Sequence, residues 1–180
     1  MMPVSTDVFD RRVSAWLQDW IANNPGGEYY DIGPGEGKYG RLVRELDPGA
    51  RLVAIEIDPG YIETYHLAEL YDQVVCADAA EYFFELGDLY SVGVFFLGDV
   101  IEHMRKSKGL DLLHYLVYHC YYILLTFPTA YKQGVWEGHR SEMHQSSWCE
   151  DDFSWVEHQY WIDRSNPYVP QNLCIVRGYR

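Results

Sequence analysis

Apolar residues along this chain follow two rhythms, and the alternation between them predicts its elements. The first rhythm is helical: Phe9, Val13, Trp16, Leu17, Trp20 and Ile21 fall on one face. Ser5 or Thr6 can cap that helix, and Asn23-Asn24-Pro25-Gly26-Gly27 stops it. Glu28 to Ile32 reads as a short strand, with a glycine-rich turn immediately after it. Tyr39, Leu42, Val43 and Leu46 give the next helix a buried stripe, ended by Asp47-Pro48-Gly49. Arg51 to Ile57 is a nearly continuous apolar strand, as expected where helices cover both faces of a sheet. The alternation continues with a helix from Pro59 through Tyr71 and a strand from Gln73 to Cys76. A helix over Ala79 to Leu86, a strand over Ser91 to Leu97, a helix over Lys106 to His119 and a strand over Tyr121 to Thr126 follow.

The last third breaks the pattern. Pro128 to Gln145 has no clear period and is rich in Gly, His and charge. Ser146 or Ser147 can cap a short helix over Trp148 to Phe153. Two strand-like segments close the chain, Ser154 to Ile162 and Asn172 to Tyr179, with Asn166-Pro167 between them. The expected architecture is α/β: a Rossmann-like, doubly wound, mostly parallel seven-stranded sheet with an antiparallel C-terminal hairpin. One domain over residues 1–180 is expected: an N-terminal helix in 1–27, a ligand-binding core in 28–127, and an acceptor-side loop with the last strands in 128–180.

Composition narrows the partners. The formal net charge is −13, from 14 basic and 27 acidic residues. A nucleic-acid binder needs Lys and Arg to displace phosphate counterions, so no nucleic-acid partner is expected. The four cysteines form no C-x-x-C pair, which suits reduced, mostly buried thiols in a cytoplasmic protein. Met1 to Asp10 lacks a basic region followed by an apolar run, and no apolar stretch is long enough to span a bilayer. Neither a signal peptide nor a membrane partner is expected.

The turn Asp31-Ile32-Gly33-Pro34-Gly35-Glu36-Gly37 is the first sign of chemistry. A strand that ends in glycines and feeds a helix brings backbone N–H groups close to a ligand. Gly35-x-Gly37-x-x-Gly40 also matches the dinucleotide fingerprint, so an NAD-type oxidoreductase is one reading. Two acids favour another. Glu56 ends the second strand, where a carboxylate can accept both hydroxyls of a ribose. Asp78, followed by Ala79, ends the third, where an acid can accept from an adenine amino group. A ligand with a ribose, an adenine and an amino-acid tail employs every one of these features.

Over Glu28 to Phe153 the chain resembles the class I S-adenosylmethionine-dependent methyltransferases. The resemblance rests on Asp31 to Gly37, Glu56, Asp78-Ala79 and Gly98-Asp99-Val100-Ile101-Glu102-His103. The last segment is similar to the "D-V-L-E-H" stretch of the subgroup that methylates small metabolites and sugars. The resemblance implies an enzyme that binds S-adenosylmethionine and releases S-adenosylhomocysteine. It implies cofactor contacts from Asp31, Gly33, Gly35, Gly37, Glu56, Asp78, Ala79 and Asp99. Gly33 and Gly35 would face the methionine part, Glu56 the ribose, Asp78 the adenine and Asp99 the sulfonium end.

The acceptor side is less specific. His103 is the first candidate base, set against a packing role for the same ring. His144 is the second. It lies in a stretch similar to the "H-x-S-x-W-x-x-x-D-F" motif of sugar-cluster methyltransferases, with altered spacing before Trp148. His139 is an alternative base, and Tyr131 or Trp136 can stack on an acceptor ring. No metal is expected: neither His139, Glu142 and His144 nor His114 and His119 has a familiar ligand spacing. The expected acceptor is a small molecule. The site is expected to be open, covered by the N-terminal helix, the 128–145 loop or a second copy of the chain, which makes a homodimer one expectation. The competing reading is a non-catalytic binding module, its aromatic tail of Trp155, Tyr160, Trp161 and Tyr168 serving as an interface.

Overall fold

A computed structural model describes residues 7–86, 92–136 and 138–180. Ser5, Thr6 and Ser91, which entered the expectations above, lie outside the described residues. The elements run α1 (Asp10–Asn23), β1 (Glu28–Ile32), α2 (Lys38–Leu46), β2 (Arg51–Glu56), α3 (Pro59–Thr64), α4 (Leu67–Leu70), β3 (Gln73–Cys76), α5 (Ala79–Leu86), β4 (Val92–Gly98), α6 (Lys106–Leu116), β5 (Cys120–Pro128), β6 (His158–Asp163) and β7 (Gln171–Arg177). Three single 3₁₀ turns, Ile101–His103, Arg140–Glu142 and Glu150–Phe153, lie between them.

The seven strands form one sheet in the order β3-β2-β1-β4-β5-β7-β6. The first five are mutually parallel, whereas β7 runs antiparallel to both β5 and β6. This is a Rossmann-like α/β sheet with an antiparallel C-terminal hairpin. Side chains alternate across each strand and so divide the core in two. Tyr30, Ile32, Val53, Ile55, Phe95 and Leu97 face α5 and α6, packing on Phe83, Leu112, Leu113 and Leu116. Tyr29, Leu52, Ala54, Val94 and Phe96 face α1 and α2, packing on Val13, Leu17, Ile21, Tyr39 and Val43.

Several boundaries differ from expectation. The helix expected from Pro59 through Tyr71 is two short ones, separated where His66 adopts a left-handed φ of 52°. α1 begins after Phe9 with no side-chain cap. α6 stops at Leu116, and β5 starts at Cys120 and continues to Pro128, where it pairs with Gln171. The expected helix over Trp148 to Phe153 is a single 3₁₀ turn. All four thiols are free, but only Cys120 and Cys174 are buried, while Cys76 and Cys149 are exposed. No helix of the described residues is long and apolar enough to cross a membrane.

The strand order reverses between β1 and β4. In open parallel sheets a crevice forms at that point, outside the carboxyl ends of the strands. Loops following β1 through β5 converge there.

Candidate functional site

A cleft of about 490 Å³ occupies this crevice. Its lining includes Gly33 and Gly35 from the turn after β1, Glu56 from the end of β2, Asp78 and Ala79 after β3, Asp99 after β4, and the imidazoles of His103 and His144. The backbone explains why glycines stand at the turn. Gly33 has φ +60° and Gly35 has φ +52°, in the left-handed region where a Cβ is unfavourable. Nothing lies within 4 Å of where a Cβ of Gly35 would sit, so its absence leaves open space beside the main chain. At Gly33 a Cβ would lie 2.6 Å from Val100 Cγ2, so this glycine also lets the turn pack on the loop after β4.

Two of the expected cofactor contacts in the turn stand away from the cleft lining. Gly37, with φ +83°, is the N-cap of α2, and its Cβ would meet Leu70 Cδ2 at 2.6 Å. Asp31 is buried and accepts a hydrogen bond from Tyr71 Oη at 2.5 Å. Burial lifts its carboxyl to about 7, against the opposing pull of the Tyr71 hydroxyl. Asp31 and Gly37 therefore hold the turn from behind.

Glu56 is 4% exposed, and its Oε1 accepts from the Asp58 N–H at 2.8 Å. Burial raises its carboxyl to about 7 as well, with the Asp58 hydrogen bond opposing. Asp78 is already engaged: Oδ1 caps α5 by accepting from the Ala80 N–H at 3.1 Å, and Oδ2 pairs with Lys108 Nζ at 2.7 Å. Any further donor to Asp78 must share it with Lys108. Asp99 holds a left-handed φ of 54° and donates its N–H to the Thr126 carbonyl at 2.8 Å. Asp is among the few non-glycine residues that tolerate this conformation.

At the other end of the cleft, the turn Ile101–His103 meets the loop after β5. The Gln145 and Ser146 N–H groups donate to the Glu102 carbonyl, and the Gln145 side-chain amide donates to the His103 carbonyl. This stitching sets the His103 and His144 rings edge to face, with centroids 4.8 Å apart. His103 is held neutral: burial, then neighbouring His144, lowers it to about 4. Beneath it Glu102 is 2% exposed, and burial, then the Asp99 charge, pushes its carboxyl well above the ordinary range. His144 Nδ1 lies 2.7 Å from the Tyr131 carbonyl, which can only accept, so Nδ1 carries a proton, and in the neutral ring Nε2 keeps a lone pair.

The same loop is clamped to α3. His139 Nδ1 lies 2.5 Å from Asp58 Oδ2, and the His139 ring stacks on Tyr61 at 5.1 Å. Tyr61 also hydrogen-bonds the Glu142 carboxyl, which is itself buried and raised by burial. Tyr61 and Tyr65 line the cleft and were not anticipated from sequence; Glu142, weighed there only as a metal ligand, lines it too. An aromatic pair four residues apart on an otherwise unburied short helix was the only available signal for the tyrosines. Tyr131 lines the cleft, whereas Trp136 does not. Trp148 and Phe153 of the sugar-cluster-like stretch are core residues, and Trp148 Nε1 donates to Ser146 Oγ at 2.8 Å.

No protein-family model and no curated protein sequence matches the chain, so the comparison is one of structure. A SAM-dependent methyltransferase from Archaeoglobus fulgidus superposes with a TM-score of 0.66 at 17% identity, over 93% of each chain. The N-terminal domain of EvdMO1, solved with S-adenosylhomocysteine bound, matches with a TM-score of 0.68 at 12% identity, over 97% of this chain and 82% of that one. The plantazolicin methyltransferase BpumL, also solved in complex with S-adenosylhomocysteine, matches with a TM-score of 0.61 at 12% identity, over 94% and 84%. The chain thus has the fold of class I S-adenosylmethionine-dependent methyltransferases, at low sequence identity to each of these proteins.

Proposed function

We propose that this chain is an S-adenosylmethionine-dependent methyltransferase that modifies an oxygen or nitrogen of a small metabolite or sugar-derived compound. One observation carries the reading: Gly33, Gly35, Glu56, Asp78, Ala79 and Asp99, from four successive strand ends, line one cleft with His103 and His144. The residues present fit the cofactor. The open space at Gly35 admits the methionine part against the main chain. The buried Glu56 carboxyl offers acceptors for two ribose hydroxyls, which would add partners to a polar group held out of solvent. Asp78 and Ala79 border the adenine position, where an amino group would share Asp78 with Lys108. Asp99 adds negative charge on the side where the sulfonium would lie, and Asp31 and Gly37 keep the turn in shape.

When bound, the cofactor supplies an electrophilic methyl group on a positively charged sulfur. The chain's own residues then have two tasks: to hold the acceptor in line and to receive its proton. The His103–His144 pair stands at the acceptor end for both. His103 is neutral, and the Nε2 lone pair of His144 is available to hold a proton-bearing acceptor atom. The loop held by His139 and Glu142 borders this end of the cleft.

Calorimetric titration with S-adenosylmethionine, S-adenosylhomocysteine and NAD tests the reading. Saturable one-to-one binding of the first two, and none of NAD, is expected. No binding of either methyl-donor compound, or tighter binding of NAD, would sink it.

A further inference from the structure

We propose that Glu102, His103 and His144 form a site for one divalent transition-metal ion of the zinc and manganese class, at the acceptor end of the cleft. One ligand atom from each residue lies within 4.8 Å of the other two. Ligands held about 2.1 Å from a common ion stand roughly 3–4 Å apart, so small side-chain rotations close the set.

Three independent features of these side chains call for a cation. Glu102 is 2% exposed, and its Oε2 has no hydrogen-bond partner among the described residues. A buried carboxyl oxygen left without a hydrogen-bond partner is costly. A metal ion removes that penalty. His103 Nδ1 is also buried without a partner among the described residues, while the ring hydrogen-bonds the main chain of Met143, Asp99 and Glu142. His144 is oriented from behind by the Tyr131 carbonyl, which fixes its tautomer and leaves Nε2 as a ligand atom. Carbonyl acceptors of this kind are the usual means by which proteins orient metal-binding imidazoles.

The donor set selects the ion class. Two imidazoles and one carboxylate suit zinc, manganese, iron(II) or cobalt(II), whereas magnesium and calcium prefer oxygen ligands throughout. Three protein ligands leave at least one position open to the cleft. Resting on the methyltransferase reading, that position would take a hydroxyl of the acceptor; the ion would lower its pKa, and the proton would leave to water in the cleft as the oxygen takes the methyl group from sulfur. His103 and His144 then act through the ion and not as bare bases.

The test is calorimetric titration of chelator-stripped protein with zinc chloride and manganese chloride, alongside S-adenosylhomocysteine titrations on the same preparation. One ion per chain is expected, with affinity at least tenfold weaker in Glu102→Gln, His103→Ala and His144→Ala. His114→Ala, whose ring packs on Trp155 away from the cleft, should bind as the parent does. His144 is partly exposed in a loop, so its variant is expected to stay folded, as checked by circular dichroism. Loss in His144→Ala of the visible absorption of cobalt-loaded protein would support direct ligation. Absence of saturable metal binding, or binding unchanged in a folded His144→Ala variant, overturns the site. S-adenosylhomocysteine binding without metal binding removes the metal site and leaves the methyltransferase reading standing. Metal binding without S-adenosylhomocysteine binding does the reverse.

Discussion

Asp31 shows how a single buried carboxyl links the site to stability. Its folded-state value of about 7 lies above the ordinary carboxylate value of about 4, so the folded chain holds a proton that the unfolded chain releases. Stability from this group is therefore greatest below about pH 4, falls as pH rises to about 7, and stays low above that. Asp31→Asn keeps an acceptor for Tyr71 but cannot ionise. Its stability, measured by urea unfolding across that window, should lose this slope relative to the parent; parallel curves would refute the assignment. Gly35 tests the opposite face of the turn. Because space is open at its Cβ position, Gly35→Ala should fold with a loss of about 1–2 kcal/mol from the left-handed φ alone. The methyl would intrude on the proposed cofactor, and S-adenosylhomocysteine affinity should fall at least tenfold by calorimetry. The glycines and the acids at strand ends were legible because their meaning is local. The inward turn of Asp31 was not, since it depends on Tyr71, which follows it by 40 residues.

At the scale of elements, α6 and the segment after the 128–145 loop are locked by a large-against-small contact. Gly109 of α6 faces Trp148, and a Cβ there would lie 2.7 Å from the indole Cζ2. Lys106, one turn earlier, covers the indole face at 3.9 Å and pairs with Asp152 at 2.5 Å. In an exposed helix Gly→Ala stabilises by about 1 kcal/mol. Here overpacking should reverse the sign, so Gly109→Ala is expected to destabilise by about 1–3 kcal/mol and lower the melting temperature by several degrees in calorimetry. A higher melting temperature would mean that the indole has room to move. Strands and long helices were legible from apolar period, since both sheet faces are covered. The break at His66 was not, because no Gly or Pro announces it. Nor was the 128–145 loop, whose shape comes from contacts to Asp58, Tyr61 and Glu102 on other elements.

At the scale of the whole molecule, charge and topology set separate limits. A net charge of −13 repels polyanions over roughly a Debye length, about 10 Å at 0.1 M salt. The chain should therefore leave a double-stranded DNA fragment unshifted in a gel at about 50 mM salt, where electrostatic binding is strongest. A retarded band would reopen nucleic acid as a substrate class. The cleft itself was predictable as a location, because ligands of parallel sheets gather where strand order reverses. The meeting of Glu102 and His103 with His144 was not, since it needs the β4 and β5 loops to be stitched together. Topology has one more consequence, and it concerns time. β7 is made after β5 and β6 but lies between them in the sheet. During synthesis β5 therefore emerges with an open edge and β6 with no neighbour at all. Both wait until residues 171–177 leave the ribosome and are threaded into the gap. A nascent chain stalled before Gln171 is a natural client for chaperones, because its unpaired strands are templates for association with other chains.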